Sequence, residues 1–171
     1  TDVTVVKQLQ KEYSVHWYVL HQPHDPYPVS FYVDFVKNSG VKLHMLHITN
    51  RRRSFKVLKL MFKTFTEIVE LSPSLIYSCC FDFYFSLAYL IKAKSIPLVF
   101  GVHDVIQHSD NRNSIFYHLS YRFSLFVGDV FLQFSSNQNR VFKQLYPKLK
   151  SSMVGMSIKD FGEAKGEKHI F

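Results

Sequence analysis

The sequence predicts an α/β fold, a Rossmann-like parallel sheet with helices on both faces. Two observations carry this. Short runs rich in Val, Ile, Leu and Phe alternate with segments of helical period along most of the chain. The intervening helical segments, about 10 to 20 residues each, suit crossover connections between parallel strands. A third observation sets the scale: 171 residues with no internal repeat or low-complexity tract describe one α/β domain with a sizeable core.

The elements follow in order. In DVTVVKQLQKEY, Val3, Val6, Leu9 and Tyr13 fall near one helical face, and SVHWYVL then reads as a strand. After the loop HQPHDPYPV comes a short helix, SFYVDFVKNSG, whose Gly40 suits a helix end. VKLHMLHI alternates as a strand does. The basic segment from Arg51 to Leu71 is a helix closed by Ser72-Pro73. SLIYSCC is a strand, DFYFSLAYLIKAK a helix with Asp82 as N-cap, and IPLVFGV a strand. SIFYHLSYRFSLF is helical and DVFLQFS a strand. SNQNRVFKQLY is a helix stopped by Pro147, and KLKSSMVGM a last strand.

Composition removes several classes of protein. Hydrophobic residues make up 47%, with 17 Phe and 10 Tyr, which offsets the entropy of ordering and excludes a disordered chain. The excess of 21 Lys and Arg over 13 Asp and Glu gives +8 and favours an anionic partner. Cys79 and Cys80 are adjacent, too strained for an ordinary disulfide and far from any zinc pattern. They read as buried reduced thiols, which suggests a cytoplasmic setting. Lys7, Gln8, Gln10 and Lys11 interrupt the first apolar residues, so the opening is not expected to be a signal peptide. The run LIYSCCFDFYFSLAYLI carries Asp82 in its middle and reads as a strand and a buried helix rather than a membrane span.

The two ends carry an expectation of their own. The chain opens on a helix, whereas a doubly wound domain opens on a strand, and it closes on the charged, glycine-containing SIKDFGEAKGEKHIF. The reading is a fragment: residues 1–155 form a Rossmann-like domain lacking its first strand, and 156–171 lead toward a second domain.

The stretch PLVFGVHDVIQHSD places His103 and Asp104 where a strand ends, with His108 and Ser109 just beyond. Ligands of open parallel sheets bind outside the carboxyl ends of the strands, so this pair is the first candidate for chemistry. PLVFGVHDVIQHSD and the later DVFLQFSSNQNRVFKQLYPKLKSSMVGMS together resemble the later part of the N-terminal domain of GT-B-fold glycosyltransferases, and are most similar to the retaining glycosyltransferase family 4. In that family a strand delivers an HD or HG pair, a helix follows, and the next strand ends in a serine that opens another helix. The likeness covers residues 96–155 and extends more loosely to the start of the chain. It implies that His103 lies at the interdomain cleft near the transferring sugar, with Asp104 orienting the imidazole or binding a hydroxyl. Ser135 and Ser136 would line the same cleft, with a helix N-terminus behind them suited to a phosphate or a sugar hydroxyl; plain helix capping is the other reading of these serines. The family's nucleotide-sugar donor would sit mainly on the second domain, so no cofactor is expected on this chain, and the chain alone should not transfer sugar. It departs from the family's pattern at MVGMS, where many relatives have a polar or His-containing turn.

Other readings compete for these residues. His103, Asp104 and His108, with His21, His24 and Asp25 in HQPHDP, could be metal ligands, but their spacing matches no site pattern and no metal is expected. In RRRSFKVLKLMFKTFTEIVEL, Arg52, Lys56, Lys59 and Lys63 recur on one face and Phe55, Leu58, Phe62, Phe65 and Val69 on another. The apolar stripe is expected to pack on the sheet and the basic face to meet water or an anionic membrane. A basic nucleic-acid-binding domain without catalytic activity is the alternative from another class, although no recognition motif is present. The sequence-level conclusion is the acceptor-side half of a glycosyltransferase, peripheral at the cytoplasmic face of a membrane. It would move a sugar from a nucleotide-sugar to a glycan or lipid-linked acceptor in polysaccharide or glycolipid synthesis.

Overall fold

In the computed structural model, which describes residues 2–49, 54–102, 105 and 115–154, helices and strands alternate along the chain. The order is α1 (Asp2–Leu9), β1 (His16–His21), α2 (Val29–Val36), β2 (Lys42–His47), α3 (Phe55–Glu70) and β3 (Ile76–Ser78). Then come α4 (Phe83–Lys92), β4 (Leu98–Val102), α5 (Ile115–Val127), β5 (Val130–Gln133), α6 (Ser136–Leu145) and β6 (Ser151–Met153). Every strand pair is parallel, as the alternation required. The fold is α/β, with parallel sheets flanked by helices in the Rossmann-like manner.

Local chemistry sets the helix ends. The Asp82 carboxylate accepts from the backbone N–H groups of Tyr84 and Phe85 at 2.8 and 3.0 Å, making it the N-cap of α4. Ser54 caps α3 in the same way, accepting from Val57 at 3.4 Å, so the described helix begins at Phe55 rather than Arg51. At the other end of α3, Ser72 takes a left-handed φ of 47° just before Pro73, and its N–H returns to the Val69 carbonyl at 2.9 Å. A left-handed residue followed by proline terminates a helix because neither can continue it.

The strands fall into two sheets, β1–β2 and β3–β4–β5–β6. Among the described residues β1 and β3 therefore each keep one edge without a ladder partner. The side chains of β1 alternate between two faces. Trp17 packs edge-on against Tyr32 and Phe35 of α2 at 5.6 Å, while Tyr18, pointing the opposite way, lies toward Glu67 of α3. Burial first, and the Glu67 charge second, raise the Tyr18 phenol above its ordinary range.

The main core lies between the four-stranded sheet and the helices beside it. Phe100 of β4 stacks on Phe81 and Phe131 and meets Phe85 of α4, and Phe131 packs on Phe142 of α6. Phe100, Phe131 and Phe142 are fully buried. At the amino ends of β4 and β5 the Asp129 carboxylate accepts from the Leu98 N–H at 2.8 Å and the Tyr89 hydroxyl at 3.3 Å, with Lys94 alongside at 3.7 Å.

One expectation about α3 is corrected. The helix turns Val57, Met61, Thr64 and Phe65 inward, and leaves Phe55 78% exposed and Val69 partly so. A stripe centred on Phe62 would have kept Lys59 at the flank of the sheet. The observed rotation sets Lys59 opposite the core, where its ammonium stays hydrated. Among the described residues, no helix is long and apolar enough to cross a membrane.

Candidate functional site

The site is built where β4 and β5 end. Val102, the last residue of β4, is paired in register with Gln133, the last of β5, so the two carboxyl ends lie side by side. The sequence continues from Val102 into His103-Asp104 and from Gln133 into Phe134-Ser135. His103, Asp104, His108, Ser109 and Arg52 lie outside the described residues. The chain is nonetheless held on both sides of the His–Asp pair. Val102 is in the ladder, and buried Val105 donates its backbone N–H to the Gln138 side-chain oxygen of α6 at 3.0 Å.

Ser135 is the N-cap of α6, its hydroxyl accepting from the Gln138 N–H at 3.2 Å. Gln138 thus ties the cap of α6 to the segment after β4: its backbone binds Ser135 and its side chain binds Val105. Ser136 is exposed in the first turn, where backbone N–H groups lack helical partners and the helix dipole favours negative charge. The cap reading of Ser135 is therefore realised, while Ser136 faces solvent beside it.

Gln133 and His47, which the sequence did not single out, gain a role, and His21 gains one besides the metal ligation weighed for it. Gln133 is fully buried, and both polar atoms of its carboxamide lack a hydrogen-bond partner among the described residues. A buried carboxamide calls for a partner, and Gln133 is paired in register with Val102 at the end of β4. The available signal was a polar residue at an inward strand position. His21 and His47 form the other pair: they are the register-matched last residues of β1 and β2, with rings 5.8 Å apart. The His21 Nε2 donates to the Tyr27 carbonyl at 3.3 Å, which fixes the ring. Strand ends again place polar rings at the edge where parallel sheets bind ligands.

The remaining contenders are resolved by what they touch. Asp25 accepts from the Gln22 N–H at 2.6 Å and so closes its own loop. Among the described residues no group of three His, Cys, Asp or Glu is arranged to hold a metal ion. Cys79 and Cys80 form no disulfide, and the Cys79 sulfur lies 3.0 Å from the Tyr77 hydroxyl. That hydroxyl and the Cys79 sulfur sit over Gly101, where a Cβ would force them to shift, so glycine allows their close approach to the strand leading to His103. Lys56, Lys59 and Lys63 are exposed on α3, with Lys63 in an ion pair to Glu67 at 3.6 Å that offsets part of the patch. An open groove of about 460 Å³ between the ends of α5 and α6 lies at the opposite edge of the sheet from the strand carboxyl ends.

Compared with known proteins, neither a protein-family model nor a curated protein matches this chain.

Proposed function

We propose that this chain is the acceptor-side domain of a GT-B-type glycosyltransferase, moving a sugar from a nucleotide-sugar to a hydroxyl of a glycan or lipid-linked acceptor. The observation that carries the reading is the juxtaposed ends of β4 and β5, one continuing into His103-Asp104 and the other into Ser135-Ser136. An imidazole beside a carboxylate can position an acceptor hydroxyl and stabilise charge at the reacting centre. The first turn of α6, without an acidic residue, suits a phosphate or sugar hydroxyl. In this reading the donor nucleotide is gripped by a second domain across the cleft, and His103 positions rather than attacks.

The test is transfer of labelled sugar from a panel of nucleotide-sugars to membrane lipid and glycan acceptors, using cells that make the protein or its His103→Ala variant. Loss of turnover on the order of a hundredfold, with the circular dichroism of the purified variant unchanged, is the expected outcome. Transfer near the wild-type rate would remove His103 from the reaction. Salt-sensitive RNA binding with no sugar transfer would favour the nucleic-acid reading instead.

A further inference from the structure

The outer surface of the helical layer is not one that water alone should cover. α5 is buried through Tyr121, Ser124, Leu125 and Val127, and its other side presents Ile115, Leu119, Arg122 and Phe126 in one row at three- and four-residue spacing. Ile115 is 76% exposed and Phe126 73%. The apolar surface continues onto α4, where Phe83 packs on Phe123 at 5.1 Å and Phe123 on Phe126 at 6.3 Å. On the other side it reaches Leu145 of α6 across the groove, whose lining includes Arg122 and Lys148. Single exposed apolar residues are ordinary, but a contiguous set marks an interaction surface.

Charge decides what covers it. The spans of α4, α5 and α6 contain no Asp or Glu, whereas Lys92, Arg122, Arg140 and Lys143 are exposed on them. A second copy docked symmetrically through this row would bring Arg122 toward its own equivalent, a like-charge contact. A nucleic acid would meet the cations but gain nothing from Ile115 and Leu119, which neither pair with phosphate nor stack on bases. An anionic bilayer satisfies both, with cations at the headgroups and apolar side chains in the interface.

We propose that the outer surface of α4, α5 and α6, centred on α5, docks on an anionic lipid bilayer with α5 lying in the membrane plane. The inference is independent of sugar transfer, since it rests on exposed residues away from the strand ends. It also moves the main membrane contact from the α3 lysines to α5. Ser86 faces Ser124 and Phe81 faces Tyr121, so α4 and α5 run side by side in the same direction. Ile115 then starts about six to eight residues, or about 9 to 12 Å, before the level of Phe83, on the side of the strand carboxyl ends. Docking by this row brings the bilayer to the rim of the candidate site.

The experiment is sedimentation of the chain with vesicles of phosphatidylcholine containing about one third phosphatidylglycerol, and with phosphatidylcholine alone. The wild-type chain is expected to bind the anionic vesicles, with binding weakened but not abolished by salt, because apolar insertion is not screened. Ile115→Ser/Leu119→Ser/Phe126→Ser should lower binding at least about tenfold with circular dichroism unchanged. Should that variant not fold, Leu119→Glu alone supplies the same comparison. Failure of the wild type to bind vesicles, or equal binding by the folded variant, overturns the proposal. So does loss of binding on Lys56→Glu/Lys59→Glu with none on the α5 substitutions. A solution dimer split by the α5 substitutions would assign the surface to self-association instead.

Discussion

His16 opens β1 within a column of rings, stacked on His44 at 5.3 Å with its Nδ1 3.2 Å from His44 Nε2, while His44 stacks in turn on Tyr18 at 4.2 Å. Burial, then the charges of Lys42 and His44, lower its pKa below the ordinary 6.5. The folded state thus prefers neutral His16. As pH falls through 6.5 the unfolded chain takes up this proton first, so stability drops until the lowered folded pKa is passed and then drops no further on this account. Urea midpoints at about pH 7.5 and about pH 5 should fall more for the wild type than for His16→Gln. Equal falls would remove His16 as the source of the loss. At this scale sequence was a partial guide: alternation in HWYVLH placed His16 on a strand, but only the register with Lys42 brought it to His44.

Between elements, α4 and α5 meet through two serines. Ser86 and Ser124 are fully buried with hydroxyl oxygens 2.8 Å apart, small enough to let the helices approach and mutually satisfied. Replacing one by Ala strands the other hydroxyl away from water, at a cost of about 1–3 kcal/mol, whereas replacing both removes the unmet demand. Ser86→Ala and Ser124→Ala should each lower the denaturant midpoint, and the double variant should be more stable than the sum of the two losses implies. Strict additivity in that cycle would mean the pair contributes nothing as a pair. Neither serine was visible as an interface residue in sequence, because DFYFSLAYLIKAK and SIFYHLSYRFSLF are apolar on several sides.

Across the whole molecule, the core is unevenly distributed. The main buried cluster runs from Ile48 to Phe142, β4 is buried at four of its five positions, α2 buries no residue and β1 only Val19. The β1–β2 sheet is therefore the part with least apolar packing to lose on opening, and local stability follows such packing. Amides of residues 16–21 and 42–47 are expected to exchange with solvent faster than those of 98–102 and 130–133. Uniform protection in a hydrogen-exchange experiment would show one cooperative unit and remove the distinction.

The sequence by itself determined the order of elements, the cap at Asp82, the stop at Ser72-Pro73, and the ending of β4 just before His103-Asp104, because these depend on local period and turn chemistry. Only the tertiary structure decided which way α3 rotates, that the strands form two sheets, that Gln133 is buried beside the end of β4, and that α5 turns Ile115, Leu119 and Phe126 outward. The reason is physical. A period of 3.6 or 2 locates the faces of an element, but it says which face is inside only when the other is polar. Where both faces of a helix are apolar, as in IFYHLSYRFSLFV, the choice belongs to the neighbours it packs against.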